Sequence, residues 1–213
     1  RTQEKQLGSI WGQGIWYTVA LYFLKLLNFL IIQSRLYAPL IIIFTGYTLP
    51  MKTILTLTEK DVYPGNIITP ETECVMHRNA VRVVIFDKEN NVALECFNSQ
   101  EGDLVYCIIG GGIEDGEDVT QALIREAHEE AGVKLQNIQE LGIVEERGIG
   151  TKEGKRFSQT NYCFIADIDG EKLASTFTEY ELSRGFHCVW LPLEEAISKL
   201  RPKATGFMTR RSL

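Results

Sequence analysis

The sequence has little cysteine chemistry to offer. Its five cysteines, Cys74, Cys96, Cys107, Cys163 and Cys188, lie far apart and form no C-x-x-C pair. That argues against a zinc site and gives no disulfide framework, so a reducing, cytoplasmic setting is the default expectation. There is no excess of positive charge either: a net charge of −6 over 213 residues gives no sign of broad nucleic-acid binding. No internal repeat and no low-complexity tract is present. No small-residue cleavage site stands out near the N-terminus, which argues against a signal peptide.

Charge and apolar residues are distributed unevenly. Residues 1–50 carry a net charge of +3 and residues 51–213 a net charge of −9. The first fifty residues hold two apolar runs, Ile15–Ile32 and "LYAPLIIIFTGYTLP". A membrane-crossing helix needs about 20 predominantly apolar residues. The first run approaches that, but Lys25 near its centre costs about 3 kcal/mol on insertion. The second run is shorter and holds Pro39 and Gly46. The first methionine is Met51, where the text becomes that of an ordinary soluble protein. Three readings follow for residues 1–50: an over-extended start outside the natural product, a membrane anchor, or a packed helical extension. Residues 51–213 form the expected domain, able to fold without the segment before it.

Within that domain, "AVRVVIFDKENNVALECF" (residues 80–97) reads as two strands around a "DKENN" turn, a hairpin. "DLVYCII" (103–109) is a further strand leading into three glycines. Asp118–Ala131 has helical spacing, and Gly132 suits a helix stop. "IQELGIVEER" and "RFSQTNYCFIADI" read as strands joined by "GIGTKEG", "GFHCVWLP" as a last strand and "LEEAISKL" as a final helix. This order predicts an α/β or α+β fold with a mixed sheet.

The central helix follows a glycine loop: "GGGIEDGEDVTQALIREAHEEAGV", residues 110–133. Positions three and four apart share a helix face, so Glu126, Glu129 and Glu130 project together. Leu123, Ile124, Ala127 and Ala131 form a neighbouring apolar stripe, predicted to pack on the sheet. Like charges on one face repel unless something offsets them. A hard cation such as Mg²⁺ (or Mn²⁺) prefers oxygen ligands, and a backbone carbonyl in Gly110–Gly112 can add one. For a lone E-x-x-E pair the plainer reading is a solvated acidic face.

The pattern here is longer than a pair. It resembles the signature of the Nudix hydrolases, G-x5-E-x7-R-E-U-x-E-E-x-G-U with U aliphatic. Gly111, Glu117, Arg125, Glu126, Glu129, Glu130, Gly132 and Val133 fill it, and Ala127 at an aliphatic position is the one departure. The resemblance spans roughly residues 74–200 and does not reach residues 1–50. It implies an α/β/α sandwich and metal-dependent hydrolysis of nucleoside diphosphates linked to another group. Carried over by position, Glu129 and Glu130 would ligate the metal, Glu126 would ligate it or act as base, and the backbone of Gly111 would face it. Glu117 and Arg125 would pair and orient the loop against the helix, leaving Arg125 structural first and catalytic second.

Other residues are weaker candidates. In some relatives a later glutamate is the base, which brings in Glu171, Glu179 and Glu181; a solvated loop acid is the alternative for each. Arg147, Lys152, Lys155 and Arg156 flank "GIGTKEG" and could meet phosphates. His128 is expected at the surface, and Tyr106 and Trp190 in the core. Cys107 and Ile109 precede the glycines where relatives often have a proline. Members resembling ADP-ribose pyrophosphatases often carry a proline beyond the box, and none lies between Pro70 and Pro192 here. The leading substrate is thus a (deoxy)nucleoside triphosphate or its oxidised form, and the runner-up a nucleotide sugar. A non-catalytic, nucleotide-sensing module of the same fold is the reading from another class, and a homodimer is compatible with all three.

Overall fold

Val81–Phe86 is a nearly continuous β-branched and apolar run, broken only by Arg82, which suits a strand covered on both faces. The computed structural model describes residues 51–58, 61, 74–99, 102–150 and 156–200, with the side chains of 74–76, 148–150 and 156–157 outside that set. Seven strands form one mixed sheet: β1 (Thr53–Thr58), β2 (Cys74–Phe86), β3 (Asn91–Asn98), β4 (Leu104–Ile108), β5 (Lys134–Gly150), β6 (Arg156–Asp169) and β7 (His187–Pro192). Among the described residues three helices accompany them: α1 (Val119–Ala131), α2 (Glu179–Ser183) and α3 (Leu193–Leu200). The strand order is β1-β5-β6-β2-β3-β4, with β7 on the other side of β3.

The two faces of the sheet carry separate cores. Val81, Val83 and Ile85 pack with Ala122, Leu123, Ala127 and Ala131 of α1. Val84, Phe86 and Leu94 pack with Ala196, Ile197 and Leu200 of α3. The result is an α/β/α sandwich. Leu123, 1% exposed, contributes about 2 kcal/mol by leaving water. Ile124 departs from the predicted stripe: it is 51% exposed, because the buried face turns through Ala122 and Leu123 instead.

The hairpin also departs from expectation in one respect that shapes the site. β2 and β3 pair only next to their turn, at Phe86 and Val92. Beyond it they splay, and the glycine loop takes the vacated edge of β2: Val81 N–H donates to Gly111 O at 2.9 Å and Val83 N–H to Ile109 O at 2.9 Å. On its other edge β2 runs parallel to β6. Two elements have no counterpart in the sequence reading, the strand β1 beside β5 and the short helix α2. Among the described residues no helix is long and apolar enough to cross a membrane. Residues 1–50, on which the anchor reading depends, lie outside the described residues.

Candidate active site

Helix α1 starts where its sequence can satisfy the first free N–H groups. Asp118 caps it, accepting from Gln121 N–H at 2.8 Å, while Gln121 Oε1 accepts from Asp118 N–H at 2.9 Å. Gly132 ends it at φ 65°, a left-handed conformation that a side chain would strain. The late loop is tied to this end: Ser175 Oγ donates to Glu130 O and Thr176 N–H to Glu129 O, both at 2.7 Å. The helix therefore holds a fixed position against loop and sheet.

Arg125 is the hub of the charged face. Its Nε donates to Glu117 Oε1 at 2.8 Å and its Nη2 to Glu117 Oε2 at 2.9 Å, a two-point pairing. Nη2 also donates to Gly112 O at 2.9 Å, which clamps the glycine loop to the helix. Nη1 donates to Glu126 Oε1 at 2.7 Å and to Glu129 Oε2 at 3.3 Å. The hydrogen bonds that Arg125 donates to Glu117, followed by the charge of Glu126, raise its pKa further, so the guanidinium stays charged. Glu117 Oε2 accepts from Glu114 N–H at 3.0 Å and so braces the turn before the helix.

Glu126 is 3% exposed. Its carboxylate reaches the level of the backbone at Gly111, where a Cβ would lie 2.2 Å from Glu126 Oε1 and 2.8 Å from Oε2. A glycine is required there because the carboxylate occupies the side-chain space. Glu130, one turn on, accepts from Gly110 N–H at 2.9 Å. Desolvation holds the Glu130 carboxyl well above the usual carboxylate range, and the charges of Glu95 and Glu126 push the same way.

The three helix glutamates thus have different partners. Glu126 and Glu129 lean on Arg125, and Glu130 leans on the loop. Among the described residues no group of three or more His, Cys, Asp or Glu side chains is arranged to hold a metal ion. Helical spacing brought the carboxylates to one side; the guanidinium then drew two of them to itself.

The remaining candidates have other surroundings or lie outside the described residues. His128 is exposed. Glu171 and Glu179 are exposed, and Glu181 is engaged in capping α2, accepting from Thr178 N–H at 2.7 Å. Arg147 is exposed and pairs with Glu145. Lys152 and Lys155 lie outside the described residues, as does the side chain of Arg156. Cys107 and Ile109 are buried just before the glycines, and burial pushes the Cys107 thiol well up. Tyr106 packs against the α3-side core and Trp190 against the α1-side core. Trp190 also lies under Lys172, whose Nζ is 3.9 Å from the ring centre.

Four charged residues near the box escaped the sequence reading. Glu95 lies near enough to Glu130 for its charge to raise the Glu130 pKa. Arg82 is 2% exposed; burial, with the charge of Arg78, lowers its pKa to about 10, while Glu130 and Glu126 act in the other direction. Arg78 lies against the glycine loop, where a Cβ on Gly112 would be 2.8 Å from Arg78 Nη2. Glu146 on β5 is buried on the same sheet face. The available signal was a charge interrupting a β-branched strand, as Arg82 does in "AVRVVIF".

The sequence profile of the NUDIX domain family matches residues 76–210. The chain belongs to the Nudix hydrolase family. Its Nudix box is the loop and helix just described. Among curated proteins it is 28% identical over 110 residues to the NAD-capped RNA hydrolase NudC of Vibrio parahaemolyticus. That match takes in 52% of this chain and 39% of the relative's length. Among solved structures, a MutT protein from Bacillus halodurans is similar at 22% identity and a TM-score of 0.43, over 60% of this chain and 75% of that one. A Nudix hydrolase from Nitrosomonas europaea is similar at 17% identity and a TM-score of 0.46, over 60% and 81%.

Nudix hydrolases generally use a divalent metal, and the donor chemistry of this box is compatible with one. Glu126, Glu129 and Glu130 offer only hard oxygen atoms, the preference of Mg²⁺ and Mn²⁺. The space left by Gly111 already admits one of those carboxylates to the loop backbone.

Proposed function

We propose that this Nudix protein hydrolyses a nucleoside diphosphate linked to a further group, with a (deoxy)nucleoside triphosphate or its oxidised form as the leading substrate. The observation that carries the reading is the placement of the Glu126 carboxylate against the glycine loop, beside Glu129 and Glu130 on the same helix. These three side chains would hold Mg²⁺ or Mn²⁺. Such an ion supplies charge neutralisation on phosphoryl oxygens and a more acidic water.

The chain's own residues do the rest. Glu126 is a ligand or the general base; a late-loop acid, Glu171, Glu179 or Glu181, is the other candidate for the base. Arg125 is a positioning residue, holding loop and helix together through Glu117 and Gly112 O while keeping Glu126 and Glu129 aligned. The Gly110 N–H fixes Glu130. Arg82 and Arg78 add positive charge beside the box, suited to a polyphosphate.

A second reading has one observation in its favour. The likeness to an NAD-capped RNA hydrolase points to a substrate in which the diphosphate joins two nucleosides. One panel separates the two. Nucleoside triphosphates, nucleotide sugars and dinucleotides are incubated with Mg²⁺, then with Mg²⁺ and excess chelator, and released phosphate, pyrophosphate and nucleotide are measured. Turnover confined to the metal arm is expected, greatest for a triphosphate. Turnover only of dinucleotides selects the second reading. No turnover of any of these with Mg²⁺, nor with Mn²⁺ in its place, favours a nucleotide-sensing module.

A further inference from the structure

The sheet face under α3 is apolar at one end and polar at the other. Arg78 on β2, Gln159 on β6 and Glu146 on β5 stand side by side in register across three adjacent strands. Asn161 lies two residues from Gln159 on the same face. The row begins at the Nudix box, because Arg78 packs against Gly112. It ends two strand spacings away, about 10 Å, the scale of a nucleoside with its first phosphates.

Glu146 at the far end is 1% exposed. Its Oε1 accepts from Asn161 Nδ2 at 2.8 Å and, less closely, from Gln159 Nε2 at 3.5 Å. Gln159 Nε2 in turn donates to Asn161 Oδ1 at 2.7 Å, which fixes both amides. Glu146 Oε2 is buried and has no hydrogen-bond partner among the described residues. A carboxylate oxygen left this way is costly, and native proteins keep few of them. Desolvation pushes the Glu146 carboxyl up to about 7 against the opposing pull of Asn161, Arg82 and Arg78. A group held so firmly and so incompletely satisfied is suited to receive a donor from outside the chain.

We propose that Glu146 is the base-recognition residue of this site, its Oε2 accepting a hydrogen bond from the exocyclic amino group of a nucleobase whose phosphates lie at the box. Glutamate is a natural acceptor for such amino groups, and Asn161 and Gln159 set its orientation. A site built to receive a hydrogen bond rejects the analogue that lacks the donor, since its buried acceptor is then left unpaired. The inference rests on the nucleotide reading above and deepens it.

The test is binding, not turnover. Affinities of GMP, AMP, CMP, IMP and UMP, and of pyrophosphate, are measured by calorimetry in Mg²⁺ for the wild type, Glu146→Gln and Glu146→Met. GMP and AMP are each compared with IMP, and CMP with UMP. The wild type is expected to favour the amino-bearing member of at least one pair by about tenfold. Both variants should lose that preference while still binding pyrophosphate as the wild type does, which also shows that they are folded. A wild type with no preference in any pair, or a variant that keeps it, overturns the assignment. Amino preference without hydrolysis in Mg²⁺ would leave the assignment standing and remove the proposed reaction; hydrolysis without amino preference would do the reverse.

Discussion

At the scale of single residues, the geometry of Gly111 gives a sharp expectation. A methyl group there would fall 2.2 Å from Glu126 Oε1 and 2.5 Å from its Cδ, so the carboxylate must move. Gly111 is not in the left-handed region, so alanine adds no backbone strain. Gly111→Ala is therefore predicted to lower kcat by about 100-fold, the scale of a misplacement near 1 Å, with little change in Tm. Steady-state kinetics beside a thermal melt checks this; unchanged kcat would mean that the position of Glu126 does not matter. Glu126, Glu129 and Glu130 were legible in the sequence because helical spacing places them on one side, whereas Gly111, Glu117 and Arg125 were recognised through the resemblance to the Nudix signature. Arg78, Arg82 and Glu146 were not. Their meaning comes from register, which sets Glu146 beside Gln159 and Gln159 beside Arg78 from three distant stretches of chain.

At the scale of elements, α1 owes its start to Asp118 and Gln121, which satisfy each other's backbone N–H groups. Asp118→Ala removes the cap and is predicted to cost about 1 kcal/mol. For a domain of this size that lowers Tm by about 3 °C. Differential scanning calorimetry reads the shift; an unchanged Tm would show that packing, not capping, sets the start of the helix. This helix was legible almost to its ends, because cap, apolar spacing and terminal glycine agree. The final helix was equally plain. β1 was missed because "TILTLT" is short and its partner, β5, lies more than eighty residues away. The hairpin was half legible. Its turn chemistry is local, but the splaying of β2 from β3 depends on the glycine loop competing for the same strand edge.

At the scale of the molecule, two helices cover opposite faces of one sheet, and the sheet opens between β2 and β3. The glycine loop lines the opening, and Glu126 reaches it from the α1 side. The polar row from Arg78 to Glu146 approaches from the α3 side. The fold thus brings acidic groups suited to a cation and a row suited to a nucleotide to the same edge of β2. The central claim is that the box glutamates act through a metal, and one comparison tests it most directly. Glu130→Gln keeps the shape and can still accept from Gly110 N–H, but cannot ionise to become the anionic oxygen that a metal would draw to itself. Its kcat is measured against the wild type across a Mg²⁺ titration on the best substrate of the panel, with Tm as the control for folding. The account predicts a kcat lower by about 100-fold or more at an intact Tm, since an anionic ligand of the metal is lost while the fold is kept. Wild-type kcat in Glu130→Gln at every Mg²⁺ concentration would contradict it.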